Sequence, residues 1–115
     1  MIEPTRHTSP RQVVGLYRWR EGARFDHQYY QHQHAALARP VLDPCGLIYM
    51  ACDHVPTHQP TPVGALVALS VAHFPDLATS QAALRRAGPA LAADVRAYTN
   101  IQPDMPVVHS APLTP

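Results

Sequence analysis

Hydrophobic and polar positions along this chain follow two different periods, and the switches between them mark out the elements. Residues 12–18, Gln-Val-Val-Gly-Leu-Tyr-Arg, are rich in β-formers and stop at a charged stretch, which predicts a first strand. Residues 19–24 read as a loop, with Gly22 available for a turn. Residues 25–39 then change to a helical period. Asp26 suits the N-cap, because its carboxylate can accept from a free backbone N–H at the positive end of the helix dipole. Arg39 suits the last turn, and Pro40 predicts the end. At about 100° per residue, His27, Tyr30, His34, Leu37, Ala38 and Val41 share one side. Tyr29, His32, Ala36 and Arg39 share the other.

The later elements are read in the same way. Residues 42–46 form a turn, and 47–53 a second strand with Tyr49 and Ala51 on one face and Met50 and Cys52 on the other. Proline density makes 54–62 a loop. The apolar run 63–73 is predicted as a strand buried on both faces. A second helix covers 74–87, is broken by Gly88-Pro89, and resumes briefly over 90–95. Residues 101–109 are the last strand, with prolines that suit an edge. The order β-α-β-β-α-β is that of an α+β ferredoxin-like plait, with four antiparallel strands and both helices on one face. The opposite sheet face would be bare and apolar, and so needs a partner. The plait occupies 12–110, between an N-terminal arm (1–11) and a tail (111–115).

Composition narrows the function. With 115 residues, 46% hydrophobic and 15% charged, the chain fits one globular domain. Lysine is absent, the nine basic residues are scattered arginines and net charge is +1, so no basic stripe suits nucleic acid. No apolar run approaches the roughly 20 residues of a membrane span, and the first ten residues lack a signal-peptide core, so a cytoplasmic location is expected. Cys45 and Cys52 would stay reduced there, as small core residues. Five glycines, none in a phosphate-binding pattern, argue against a nucleotide.

Candidate chemistry centres on the first helix. Its sheet-facing side aims two imidazoles and a phenol where Leu or Val would be more usual, which suggests a pocket between helix and sheet. His34 could act as a general acid/base, with Tyr30 one turn earlier donating to a carbonyl or enolate. Asp94 could orient His34. The plainer alternative for His34 is a hydrogen bond to Asp94 or a backbone carbonyl that ties helix to sheet. For Tyr30 it is a large core residue. Tyr17, His27, Leu37 and Asn100 complete the set as ligand-binding positions, although Asn100 could equally be a turn residue before the last strand. Metal binding is not expected. His32 and His34 point about 200° apart, and His27 and His34 lie about 10 Å apart along the axis. No feature demands a cofactor; a haem would need one axial ligand, for which His34 or His73 could serve.

Two segments carry a family resemblance. Phe25-Asp26-x-x-Tyr29-Tyr30 followed by His34 and Leu37, and the stretch 92–103 containing Asp94, Tyr98, Asn100 and Pro103, resemble the EthD family, named for bacterial degradation of ethyl tert-butyl ether. The likeness covers about Val13 to Val108 and departs at Ala36, where the family usually has proline. It implies a homodimer in which two plaits pack sheet to sheet as an α+β barrel. It also implies an apolar, oxygenated small molecule in bacterial catabolism or secondary metabolism. Similar barrels act as lactone isomerases, polyketide cyclases and cofactor-free monooxygenases, and the family is often described as oxidoreductase-like. Two other readings stand beside an enzyme: a non-catalytic binding accessory of an oxygenase system, and a structural dimer whose cleft is filled by side chains.

Overall fold

The computed structural model describes residues 10–111. The expected arm and tail therefore lie outside the described residues, except for Pro10, Arg11 and Ala111. Strand β1 (Arg11–Arg18), β2 (Tyr49–His54), β3 (Leu66–Phe74) and β4 (Val107–His109) form one antiparallel sheet in the order β2-β3-β1-β4. Each helix joins two parallel strands across the one between them, so the ferredoxin-like plait is the fold observed.

Alternation on β1 assigns the two faces. Arg11, Val13, Gly15 and Tyr17 are buried beneath the helices, whereas Gln12, Val14 and Leu16 lie half-buried on the open face. Register carries this across the sheet. Tyr17, Gly15 and Val13 pair with Ala68, Ser70 and Ala72 on the helix side, and Leu16 and Val14 pair with Leu69 and Val71 on the other. The helix-side core has two parts. Val13, Ala38, Leu42, Phe74, Ala83 and Ala87 pack at one end. The other end is built around Tyr17, Tyr30, Val67, Ala68, Tyr98 and Ile101.

Both helices run further than their prolines suggest. The first spans 27–42, as α-helix His27–Tyr29, a π-helical stretch Tyr30–His34, and α-helix Ala35–Leu42 with Pro40 inside it. The second is a single helix, Leu77–Tyr98, that passes through Gly88-Pro89 unbroken. The carbonyls deprived of a donor belong to Ala36 and Arg85, and these residues and both prolines are exposed, so water can replace the lost bonds. Asp26 caps the first helix as expected, accepting from the Tyr29 N–H at 3.1 Å, and Asp76 caps the second through Thr79 at 2.7 Å.

The π-helical stretch resets the helix face. It adds a residue to one turn, so buried positions recur every four: Tyr30, His34, Ala38 and Leu42. Leu37, expected on the sheet-facing side, is instead exposed, and Tyr29 turns inward far enough to reach the second helix. The third strand is also shorter than expected, starting at Leu66 rather than 63, because Val63-Gly64 form a turn with Gly64 at φ +89°. Strand pairing at the C-terminal end is confined to Val107–His109 and a bridge from Asp104 to Leu16, since Pro103 and Pro106 have no N–H to continue the ladder.

Candidate functional site

The start of the first helix is fastened to the end of the second. Asp26 N–H donates to the Tyr98 carbonyl at 2.7 Å, and Phe25 bridges to Thr99. The Thr99 hydroxyl donates to the Arg24 carbonyl at 2.6 Å. Asn100 accepts from Arg24 N–H at 2.9 Å and donates to the Gly22 carbonyl at 3.1 Å. Asn100 is thus a turn residue whose amide is committed to the backbone, the plainer of the two readings that its sequence position allows. The cause is local: with no regular structure over residues 21–24, the amide supplies the bonds that the backbone lacks.

This anchoring brings an aromatic cluster together. Tyr30 and Tyr98 are fully buried and Tyr17 nearly so. Phe25 meets Tyr17, Tyr30 and Tyr98 edge-on, with centroids 5.1–5.4 Å apart. Tyr17 and Tyr98 share a hydrogen bond of 2.5 Å between their hydroxyls. Tyr17 therefore faces the helices, not the open sheet surface. Burial raises the proton affinity of Tyr17, Tyr30 and Tyr98, so all three are neutral phenols. The Tyr30 hydroxyl lies buried beside Ser70 and Cys52 without a well-formed hydrogen bond. Burial also pushes the Cys52 thiol up to about 11, so it is no nucleophile at neutral pH.

Three of the residues singled out from the sequence lie together, and a fourth joins them. His34 Nδ1 is 2.8 Å from Asp94 Oδ2, with only 8% and 12% of the two side chains exposed. Tyr29 donates its hydroxyl to Asp94 Oδ1 at 2.8 Å. The imidazole lies parallel to Tyr30 at 5.8 Å and against Tyr98 at 4.7 Å. A carboxylate can only accept, so the tautomer of His34 that fits this bond has its proton on Nδ1 and its lone pair on Nε2. Tyr29 was missed because a regular helix puts it on the far side. The one signal in the sequence was the Tyr-Tyr pair itself.

Beside this cluster a cleft of about 410 Å3 opens between the head of the first helix and the loop after β2. Trp19, Phe25, His27, His54 and Val67 line it, together with loop residues from 55–61. The His27 and His54 rings stack with centroids 3.7 Å apart, and Phe25 covers His27 at 4.5 Å. Burial, then the neighbouring His54, lowers the proton affinity of His27, while Asp26 pulls weakly the other way. His34 and Leu37 do not line the cleft; Leu37 was placed there by a straight-helix period that the π-helical turn breaks. Among the described residues no group of three or more His, Cys, Asp or Glu could hold a metal ion. No helix among them is long and apolar enough to cross a membrane.

No family model matches the chain, and no curated protein matches it by sequence. Solved structures do. An EthD-like protein from Ralstonia eutropha JMP134 superposes with a TM-score of 0.74 at 24% identity, over 89% of this chain and 92% of that one. The chain has the EthD-like fold. An ethyl tert-butyl ether degradation (EthD) family protein from Bacillus halodurans C-125 gives 0.60 at 16% identity, over 89% and 99%. A protein of unknown function from Rhodopseudomonas palustris gives 0.54 at 16%, over 94% and 85%. The likeness thus spans most of this chain and nearly the whole length of the two EthD-like proteins.

Proposed function

We propose that this chain is a small enzyme of the EthD kind that moves a proton on an apolar, oxygenated small molecule, with His34 as acid/base. The observation that carries this is the Tyr29–Asp94–His34 chain of hydrogen bonds, built on a π-helical turn. A buried carboxylate that fixes one imidazole nitrogen leaves the other as a base and stabilises the imidazolium formed after proton transfer. Such π-helical turns recur at functional sites because they re-aim side chains that a regular helix would stack elsewhere. Tyr30 adds a buried hydroxyl that a substrate oxygen could engage. Removing a proton beside a carbonyl and returning it elsewhere suits isomerase or cyclase chemistry, and is also the opening step of an oxygenation.

The second reading, a binding accessory without turnover, is favoured by one observation. The cleft is lined by His27 and His54, and the Phe25, Tyr30 and Tyr98 rings stand between them and His34. Under that reading the His34–Asp94 pair only clamps the two helices. In both readings a second copy covers the open sheet face, where Val14, Leu16, Leu69 and Val71 lie side by side.

A thermal-shift screen with apolar carbonyl, phenol and lactone compounds, followed by mass spectrometry of the hits, separates the readings. The enzyme reading expects a compound that stabilises both wild type and His34→Gln but is converted only by wild type. Conversion that survives in His34→Gln removes His34 from the mechanism. Binding without conversion in wild type leaves the accessory reading.

A further inference from the structure

The acid/base reading makes no use of the stacked pair His27–His54, yet this pair dominates the chemistry of the cleft. Among the described residues, the lining includes no Asp, Glu, Lys or Arg. Its loop side largely satisfies itself: the Thr57 and Thr61 hydroxyls bond at 3.1 Å, and Gln59 donates to Thr61 at 3.2 Å. Trp19, Phe25 and Val67 supply aromatic and apolar surface. Among the described residues, His27 and His54 are therefore the only lining groups able to take up a charge near neutral pH.

Their geometry limits that charge to one. Two imidazolium rings 3.7 Å apart would repel strongly, so the stacked pair is built to hold one positive charge and not two. The groups acting on His27 are Asp26 at the cap of its own helix and His54 at the end of β2; the lining side chains of 19–25 and of the 55–61 loop are uncharged. His27 Nδ1 is also buried with no hydrogen-bond partner among the described residues, so it offers a polar group for a ligand to satisfy. His54 is exposed and sits at the head of the loop, so its ring can move aside without disturbing the core.

We infer that the cleft takes a flat, largely apolar ligand bearing one acidic oxygen, a carboxylic acid or an acidic phenol or enol, and that the His27–His54 pair receives that oxygen. The ring system lies against Trp19 and Phe25, and the pair takes up one proton from solvent as the anion arrives. This rests on the reading of the cleft as the ligand site, and is independent of any role for His34.

The test uses 2-naphthoate and its neutral counterpart 2-naphthamide, titrated calorimetrically at pH 6 and pH 8 in buffers of different ionisation enthalpy. The full chain is expected to bind naphthoate at least about tenfold more tightly at pH 6, with net proton uptake; one proton over two pH units sets a ceiling of about 100-fold. Naphthamide should bind more weakly and without pH dependence. The double variant His27→Gln/His54→Gln should abolish the pH dependence for naphthoate, whereas either single variant keeps one imidazole and so retains part of it; naphthamide should still bind the double variant, which shows that the variant cleft is folded. Equal, pH-independent binding of both compounds to wild type overturns this inference and leaves the cleft as a ligand site. Binding of neither compound overturns the inference and the cleft together.

Discussion

Replacing Asp94 by Asn tests the central geometry at a single atom. The carboxylate accepts from His34 Nδ1 and from the Tyr29 hydroxyl, both at 2.8 Å. An amide keeps one acceptor and turns the other oxygen into a donor. If the carbonyl stays with Tyr29, the NH2 faces Nδ1 and drives the imidazole proton to Nε2. The base is then lost while the shape is kept. Hydrogen bonds to a charged group contribute about 1.5–3 kcal/mol each, and Asn retains a neutral version of at least one. The expected loss is therefore about 1–2 kcal/mol in urea denaturation, or roughly 4–8 °C in melting temperature for a domain of this size. Asp94→Ala, which strands a buried imidazole, should cost more, about 3–5 kcal/mol. The decisive assay is nitrogen NMR of the His34 ring. Wild type should show Nδ1 protonated, and Asp94→Asn should show Nε2 protonated. An unchanged tautomer together with an unchanged urea midpoint would mean that Asp94 does not orient His34, and the acid/base proposal would lose its support.

Three other outcomes follow from the packing. Because the fold lowers the proton affinity of His27, the unfolded chain binds more protons as pH falls through about 6.5, so stability should decline there and level off below the folded value; His27→Gln should remove that part of the decline in pH-dependent thermal melts. Gly15→Ala drives a Cβ into Ser70 Oγ and should cost about 1–3 kcal/mol, whereas adding Ser70→Ala should recover most of it, since the next Ser70 atom is 3.7 Å away and the remaining close neighbour, Met105 Sδ at 3.1 Å, is the sulfur of a flexible side chain; strict additivity in a urea double-mutant cycle would refute the clash. Tyr30→Phe deletes a buried hydroxyl without a well-formed partner and should leave stability unchanged or raise it by up to about 1 kcal/mol, while Tyr98→Phe strips Tyr17 of its partner and should lower it by about 1 kcal/mol; equal losses in the two variants would count against this assignment.

Much of the fold was legible because local signals agreed with the global pattern. The β-forming run of residues 12–18, the Asp26 cap and the order of strands and helices all point to one plait, and the structure has that plait. The errors share a cause. Pro40 and Gly88-Pro89 were read as breaks because an isolated helix would lose stability there. In the folded chain both prolines lie on the exposed side, and packing of the buried face outweighs the missing bonds. Of the candidate site, His34 and Asp94 were paired correctly across 60 positions. Leu37 was misplaced by a π-helical turn, while Asn100 lies in the turn that was one of its two readings, with its amide bonded to backbone groups.

The sequence by itself therefore determined the order of the elements, the cap and main buried positions of the first helix, and the residue types able to carry a proton. Those follow from short-range rules: periodicity, capping and side-chain chemistry. Tertiary structure alone decided that Tyr29 would reach Asp94, that His54 would stack on His27, and that the cleft would open at that pair instead of at His34. The reason is geometric. A single extra residue in one helical turn rotates every later side chain, and a loop returns to a helix only when sheet register sets where its strand ends. Neither is encoded within the few residues over which a sequence pattern can be read.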